Sequence, residues 1–163
     1  MAIAKVVNKV SDFVNSVCRA IVVVLLASMV LVTSAQIIWR VFFTALSWSE
    51  EVARYLLVWS TFLGAGCVYK KGGHISVLIV QDLLSEGLQK FAKILVHLLC
   101  GAFFAITVYY GFTYMKVQGT QLSAALRIPM RFMYMAIPVG SGVLLLHSLD
   151  AILNIIFKKE AAA

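Results

Sequence analysis

The chain has 163 residues, of which 62% are hydrophobic and only 13% are charged, and it carries a formal net charge of +7. A soluble domain is about a quarter charged, so this composition excludes a water-soluble globular protein and indicates an integral membrane protein. The length accommodates about four membrane spans with short connections. The Lys and Arg residues stand in small groups beside apolar runs, without the basic stripe and interleaved aromatics of a nucleic-acid-binding surface. We therefore expect membrane lipids, and no nucleic acid, as contacts of these charges.

The first apolar segment follows a basic N-terminus. Residues 1–19 place apolar side chains at helical spacing, which predicts a short amphipathic helix on the membrane surface. The apolar run after it predicts a first span over approximately residues 17–44. A basic start and the small residues at 33–35 are also typical of a signal peptide. The apolar character continues to Phe43, however, so we expect this segment to be retained as a span.

The second span, predicted over approximately residues 49–69, has a charged entrance. Ser47 and Glu50 have the spacing of a capping box, in which the two side chains satisfy free backbone N–H groups at a helix start. Glu50 lies four residues and Glu51 three residues before Arg54, so both carboxylates can reach that guanidinium. The predicted span is about 31 Å long, close to the ~30 Å of a bilayer core.

An interfacial helix and two further spans are predicted in the rest of the chain. Residues 75–86 place polar side chains on one helical face and aliphatic ones on the other, which favours a helix lying in the membrane interface. The third and fourth spans are predicted over approximately residues 88–115 and 129–157. Pro129 suits the first turn of the fourth span, whereas Pro138 removes a backbone hydrogen bond and predicts a kink. The Gly-Ser-Gly sequence after it predicts the close approach of another helix.

The distribution of positive charge predicts the orientation in the membrane. The termini and the second connection carry nine cationic residues: Lys5, Lys9, Arg19, Lys70, Lys71, Lys90, Lys93, Lys158 and Lys159. The first and third connections carry five: Arg40, Arg54, Lys116, Arg127 and Arg131. The positive-inside rule therefore places both termini in the cytoplasm. The sequence predicts an all-α integral membrane protein with one membrane domain over residues 1–163, made of four transmembrane helices and a cytoplasmic-side interfacial amphipathic helix.

Two blocks of sequence carry a resemblance to a known family. The first reads Trp-x-Glu-Glu-x-x-Arg-Tyr-Leu-x-x-Trp from Trp48 and ends in a basic-Gly-His turn at His74. The second reads TQLSAALRIPM from Thr120 to Met130, and Ile-Pro-Val-Gly follows it at residues 137–140. In this order and spacing, the chain resembles the small membrane subunit (Q subunit) of tripartite ATP-independent periplasmic (TRAP) transporters.

The resemblance implies a supporting subunit of a transporter and not an enzyme. It implies two partners: a large membrane subunit with the ion and substrate sites, and a soluble periplasmic substrate-binding protein. The implied activity is the import of organic acids, such as sialic acid or dicarboxylates, driven by a sodium gradient across the bacterial inner membrane. Some family members fuse the two membrane subunits, so the separate C-terminus here implies a non-fused system. The sequence is consistent with a supporting role, since the spans lack the paired half-helices, broken by Gly or Pro, that are typical of a substrate-carrying transporter core.

Two groups of residues are candidates for contacts outside the chain. A docking surface for the periplasmic partner is expected at Trp48, Glu50, Glu51, Arg54, Arg127 and Arg131. A turn that binds a lipid headgroup is expected at Lys70, Lys71, Gly72, Gly73 and His74. Each group also has a purely structural explanation, as a dipole-matched helix start and as ordinary positive-inside flanks. No catalytic, metal-binding or substrate-binding residue is expected, and no cofactor other than a bound phospholipid.

Two alternative functions rest on intramembrane polar residues. His97 and His147 are expected at similar depth on neighbouring spans, as a bis-histidine haem in the anchor subunit of a respiratory complex requires. The structural alternative is hydrogen bonding inside the bundle, with Asp150 one turn from His147. A small homodimeric exporter would usually need a membrane-embedded acid, for which Asp150 lies too near the cytoplasmic end. The three cysteines lie far apart, which indicates core residues rather than a redox pair.

Overall fold

The computed structural model describes residues 2–71 and 86–157, and the regular structure within them is helical. The helices are α1 (Ala2–Phe42), α2 (Ser49–Lys70), α3 (Glu86–Gln118), the short α4 (Arg131–Tyr134) and α5 (Ala136–Phe157). An isolated β-bridge pairs Leu122 with Pro129 in the connection after α3. The predicted interfacial helix falls almost wholly on residues outside the described ranges.

Within the described residues, four segments are long and apolar enough to cross a membrane: Ala4–Phe42, Ser49–Lys70, Gly87–Gln118 and Arg131–Phe157. The all-α membrane fold with four spans is therefore confirmed. The spans alternate in direction, and α5 contacts α1, α2 and α3. We call the end of the bundle with the start of α1 and the end of α5 the terminal end. The opposite end, which holds the 43–48 and 119–130 connections, is the loop end.

The first helix is longer than the sequence analysis predicts. The expected surface helix over residues 1–19 and the expected first span form one continuous helix of 41 residues. No Gly or Pro interrupts residues 2–42, so nothing in the backbone chemistry ends the helix between the two parts. At the terminal end, Ser11 and Cys18 are buried against the rest of the bundle. The amphipathic start of α1 thus packs on the other helices.

The start of α2 corrects the predicted capping box. The helix begins at Ser49 with Trp48 as its N-cap, and no side chain caps it. Ser47 therefore lies one residue too early to be the N-cap. The turn is closed instead by Ser49, whose hydroxyl donates to the carbonyl of Leu46 at 2.7 Å. The carboxylate of Glu50 accepts a hydrogen bond from Gln36 of α1 at 3.4 Å.

The last span is interrupted near its start. Met135 separates α4 from α5, and Pro138 lies in the first turn of α5. Because Pro138 has no N–H, the carbonyl of Tyr134 loses its usual partner four residues on, which explains a break at this place. Pro129 precedes α4 and pairs in the β-bridge, so it does not occupy the first turn of the helix. The helix starts two residues later than predicted because the bridge holds Pro129 in the loop.

Small residues let α2 and α5 approach closely. A β-carbon added to Gly140 would lie 2.6 Å from the Cβ of Phe62, and one added to Gly66 would lie 2.8 Å from Val143. Real Cβ contacts are longer, so alanine at Gly140 would push the helices apart, and alanine at Gly66 would displace the Val143 side chain. Gly142 has nothing within 4 Å of the equivalent position, so only one glycine of the Gly-Ser-Gly sequence serves this contact.

Candidate functional site

Glu51 is the centre of a polar cluster at the loop end. This residue is only 8% exposed, although it lies in the first turn of α2. One carboxylate oxygen accepts the backbone N–H of Ala125 at 2.7 Å and that of Leu126 at 3.3 Å. The hydroxyl of Tyr55 donates to the other oxygen. Glu51 therefore joins α2 to the 119–130 loop by charge-assisted hydrogen bonds, which are the stronger kind.

Hydrogen bonds between its two halves fold the 119–130 loop back on itself. The amide of Ser123 donates to the carbonyl of Ile128 at 2.9 Å, and the amide of Ile128 donates to the Ser123 hydroxyl at 3.2 Å. The amide of Met130 donates to the carbonyl of Gln121 at 2.8 Å. At the turn, Arg127 has a φ of 56°, in the left-handed region that costs an L-residue about 1–2 kcal/mol. The loop thus presents one exposed arginine from a constrained backbone.

The predicted docking residues separate into surface and interior positions. Trp48 is 43% exposed. Four charged members are also exposed: Glu50, Arg54, Arg127 and Arg131. Glu51 is the exception, because its carboxylate is turned towards the loop amides. Across residues 2–71 and 86–157, no ion pair forms between Arg54 and either neighbouring carboxylate, so the predicted pairing is wrong.

Lys70 is the centre of a second polar cluster, at the terminal end. Its ammonium nitrogen lies 2.8 Å from a carboxylate oxygen of Asp12 on α1 and 3.0 Å from one of Asp150 on α5. It also donates to the hydroxyl of Ser11 at 2.6 Å. The Lys70 and Asp150 side chains are 14% and 6% exposed, whereas that of Asp12 is 61% exposed. One cation therefore joins three helices, with a nearly buried acid on one side and a solvated acid on the other.

The hydrogen bonds of this cluster continue into α5. The Ser11 hydroxyl lies 2.8 Å from Nδ1 of His147 and 3.1 Å from the Asp150 carboxylate. The other Asp150 oxygen accepts from the side-chain amide of Asn154 at 3.2 Å. His147 is 1% exposed, so its imidazole belongs to the interior of the bundle. Buried polar groups need hydrogen-bond partners, and the Ser11 hydroxyl is a partner of Lys70, His147 and Asp150.

The lipid-binding turn predicted after α2 is corrected at its first residue. Lys70 points into the bundle and pairs with two carboxylates, so it is not free to bind a headgroup. Lys71 is exposed. Gly72, Gly73 and His74 lie outside the described residues. The error arose because charge order along the chain does not show on which side of α2 a lysine points.

Both intramembrane histidines take part in hydrogen bonds between helices. The hydroxyl of Tyr69 lies 2.7 Å from Nδ1 of His97, and the carbonyl of His97 accepts the hydroxyl of Ser148 at 2.7 Å. His147 contacts Ser11 in the Lys70 cluster. This is the structural role that the sequence analysis left open beside haem ligation. In the part of the chain that the structure describes, no three His, Cys, Asp or Glu side chains converge as metal ligands.

Several residues of the two clusters are absent from the sequence analysis. Ser11, Asp12 and Tyr55 were not singled out, nor was Ser123. For some of these residues, the spacing in the sequence could have indicated a buried contact. Ser11, Asn15 and Cys18 recur at helical spacing on α1, which marks a face of small and polar residues suited to a buried contact. Tyr55 follows Glu51 by four residues, on the same face of α2.

These features define a class: a multi-pass α-helical membrane protein whose interior polar groups link its helices to one another. Residues 29–158 match the family described as tripartite ATP-independent periplasmic transporters, DctQ component. The match covers most of the chain, and the chain belongs to this family. The resemblance noted in the sequence is thereby confirmed.

Three curated relatives agree with the family. A putative TRAP transporter small permease protein of Haemophilus influenzae is 27% identical over 97 residues, which is 57% of this chain and 60% of the relative. The isethionate TRAP transporter permease protein DctMQ of Oleidesulfovibrio alaskensis is 29% identical over 105 residues, 63% of this chain but 16% of the relative. The sialic acid TRAP transporter permease protein SiaT of Haemophilus influenzae is 27% identical over 118 residues, 72% and 19% respectively. The chain thus spans less than two thirds of each relative.

Proposed function

We propose that this chain is the scaffold and docking subunit of a sodium-driven importer of organic acids in the bacterial inner membrane. In this proposal it braces a large transport subunit in the bilayer and helps to dock a periplasmic substrate-binding protein. Both termini face the cytoplasm, as the charge distribution predicts, so the loop end faces the periplasm. Isethionate and sialic acid, the compounds in two relatives' names, are both organic acids of different size, which supports the class but no single substrate.

The observation that carries this proposal is the outward apolar surface of α1 and α3. In the most apolar stretch of each of these helices, no residue is buried within the chain. Large side chains there are widely exposed, among them Leu31 at 70% and Phe103 at 64%. Two of four spans thus offer whole faces to lipid or to another membrane protein. That arrangement suits a bracing subunit better than a bundle enclosing its own transport path.

The interior polar groups support the same conclusion. Lys70 and Asp150, the charged pair nearest the core of the terminal end, are bonded to each other and to Ser11. Their role is to join helices, and Asp150 is not a free acid of the kind that a proton-driven exporter needs. The two long relatives match this chain over only 16% and 19% of their length. We infer that the rest of such proteins corresponds to a separate transport subunit for this chain.

The proposed docking surface lies at the loop end. Its exposed members are Trp48, Glu50, Arg54, Arg127 and Arg131. Glu51 supports this surface from inside the protein, because it accepts hydrogen bonds from the amides of the two residues that precede Arg127. Arg131 lies at the edge of the surface, beside a separate cavity. Charges at the rim of an interface mainly steer association and fix its register.

Co-purification tests the scaffold role. We expect this chain, extracted from native membranes in mild detergent, to carry a large membrane protein of ten or more spans that mass spectrometry identifies as a TRAP transport subunit. A respiratory partner together with a Soret absorption band would support the haem-anchor alternative instead. A homodimer without any other membrane partner would support the small exporter. Either result would overturn the scaffold role.

Reconstitution tests the driving ion and the substrate class. The membrane complex and its binding protein are placed in liposomes, and uptake of sialic acid, isethionate and a dicarboxylate is followed with and without an inward sodium gradient. We expect uptake of one organic acid that requires both the gradient and the binding protein. Uptake that proceeds equally in sodium-free buffer would contradict sodium coupling while leaving the scaffold role intact.

A further inference from the structure

A cavity of about 420 Å³ lies at the loop end, between the end of α3 and the start of α4. The residues that line it are Met115, Lys116, Gly119, Thr120, Pro129 and Arg131. Two of these six are cations, and none is an acid. Lys116 and Arg131 are both exposed at this cavity, and no ion pair holds either of them within the described part of the chain.

Close packing at Gly119 brings the start of α4, with Arg131, next to the last turn of α3, which carries Lys116. A β-carbon at Gly119 would lie 2.2 Å from the carbonyl oxygen of Met115 and 2.9 Å from the Cβ of Arg131. Only glycine therefore permits the start of α4 to rest against the last turn of α3. The same contact brings Arg131 to the wall of the cavity that Lys116 lines.

Among the described residues, no acidic side chain forms an ion pair with the cations of this cavity. Lys116 lies in the last turn of α3, where the helix end carries roughly half a negative charge. That half charge offsets only part of two full positive charges. The first turn of α4, which contains Arg131, includes no acidic residue. Lys116 and Arg131 thus give the lining of one cavity a net positive charge, which an anion would neutralise.

We propose that this cavity binds a phosphate group, supplied by the headgroup of an anionic phospholipid. The guanidinium fork of Arg131 matches phosphate oxygens bidentately, Lys116 adds a point charge, and the hydroxyl of Thr120 adds a neutral donor. The depth favours a lipid as the source. The spanning segment Gly87–Gln118 has 32 residues and is about 48 Å long, compared with ~40–45 Å for a bilayer with its headgroups. A helix of this length reaches the headgroups at its ends, so we expect the cavity beside its last turn to lie at headgroup level.

The test measures lipid binding to the full chain by native mass spectrometry in detergent. Phosphatidylglycerol is titrated against the unaltered chain, against Lys116→Gln/Arg131→Gln, and against the control Arg40→Gln. The control removes an exposed cation from the same end of the bundle without touching the cavity or the proposed docking surface. With about 1 kcal/mol per cation near a headgroup, the cavity variant should bind about 30-fold more weakly, and the control should be unchanged.

Further arms separate the sources of the phosphate and guard against misfolding. Lys116→Arg/Arg131→Lys keeps both charges and should retain most of the binding. Inorganic phosphate at millimolar concentration should not displace the lipid; if it does so fully, the site takes free phosphate. Equal losses in cavity and control variants would overturn the proposal. So would unchanged lipid binding combined with lost docking of the substrate-binding protein, which would make these two cations part of the docking surface.

Discussion

The ammonium group of Lys70 lies 3.0 Å from the carboxylate of Asp150, although 80 residues separate them in the chain. The same ammonium group contacts Asp12 and Ser11 of α1. Lys70 ends α2 and Asp150 lies in the last third of α5, so this contact joins the helices at the terminal end. Because the pair is nearly buried, removing one partner leaves the other as an uncompensated charge.

The first prediction follows from that imbalance. Lys70→Met should lower the free energy of unfolding by about 3–5 kcal/mol, the cost of breaking a buried pair on one side. Unfolding in mixed detergent micelles measures the change. Lys71→Met is the matched control, because Lys71 is the next residue and is exposed; its effect should stay within about 0.5 kcal/mol. Adding Asp150→Leu to Lys70→Met should recover part of the loss. Equal effects at both lysines would show that the pair does not stabilise the bundle.

The second prediction concerns the carboxylate beneath the loop. Glu51→Gln removes the charge that two loop amides share, and hydrogen bonds to a charged group contribute about 1.5–3 kcal/mol. Amide hydrogen exchange at Ala125 and Leu126 should therefore accelerate by tenfold or more, roughly as 1.4 kcal/mol per factor of ten. Glu50→Gln alters the adjacent exposed acid and should leave this exchange unchanged. If both variants behave alike, Glu51 does not anchor the loop.

The third prediction distinguishes two glycines on one helix. Gly140→Ala places a methyl group against Phe62 and should destabilise the bundle by about 1–3 kcal/mol, as overpacking does. Gly142→Ala enters open space and should be neutral or stabilising by up to about 1 kcal/mol, since Ala favours helix. Thermal unfolding of both variants in the same detergent measures the difference. A larger loss at Gly142 would contradict the packing of α2 on α5.

The fourth prediction separates the backbone of Arg127 from its charge. Arg127→Gly suits the left-handed φ of 56° and should leave hydrogen exchange in the loop unchanged. The same variant loses a rim charge of the proposed docking surface. Association of the substrate-binding protein, measured by surface plasmon resonance on the complex in nanodiscs, should become severalfold slower and less dependent on salt. Arg127→Val is the contrasting variant, because a β-branched residue resists this φ and should loosen the loop. An unchanged association rate in Arg127→Gly would exclude Arg127 from docking.

The sequence predicted the structure correctly where one large energetic effect dominates and does not depend on distant residues. Apolar runs of span length predicted the four spans. Backbone N–H and C=O groups inside a bilayer must be hydrogen-bonded within the protein, which only helices and closed barrels achieve. Pro138 predicted an irregularity in the last span because it lacks an N–H, and the break is found at Met135. The predicted capping box is wrong. Ser47 and Glu50 have the required spacing, but the helix starts at Ser49, two residues after Ser47, so Ser47 is not the N-cap.

The sequence alone could not identify the partners of the charged residues. Lys70 had the position of an ordinary membrane flank, and Glu51 that of an acid at a positive helix end. Their actual partners, Asp12 and Asp150 for one and the Ala125 and Leu126 amides for the other, come from other segments. Short-range spacing carries no information on such pairs, since several neighbours along the helix fit equally well.

By itself, the sequence determined that this protein is an all-α membrane protein with four spans and the pattern of a TRAP small subunit. The spans depend on the summed transfer free energy of long apolar runs, and the family pattern depends on the order and spacing of two sequence blocks. Neither requires knowledge of packing. Only the tertiary structure decided that Lys70 faces inward, that Glu51 anchors a loop, and that Lys116 and Arg131 share a cavity. The rotation of each helix about its axis fixes these contacts. That rotation is set by packing between helices, where small residues such as Gly66, Gly119 and Gly140 permit close approach.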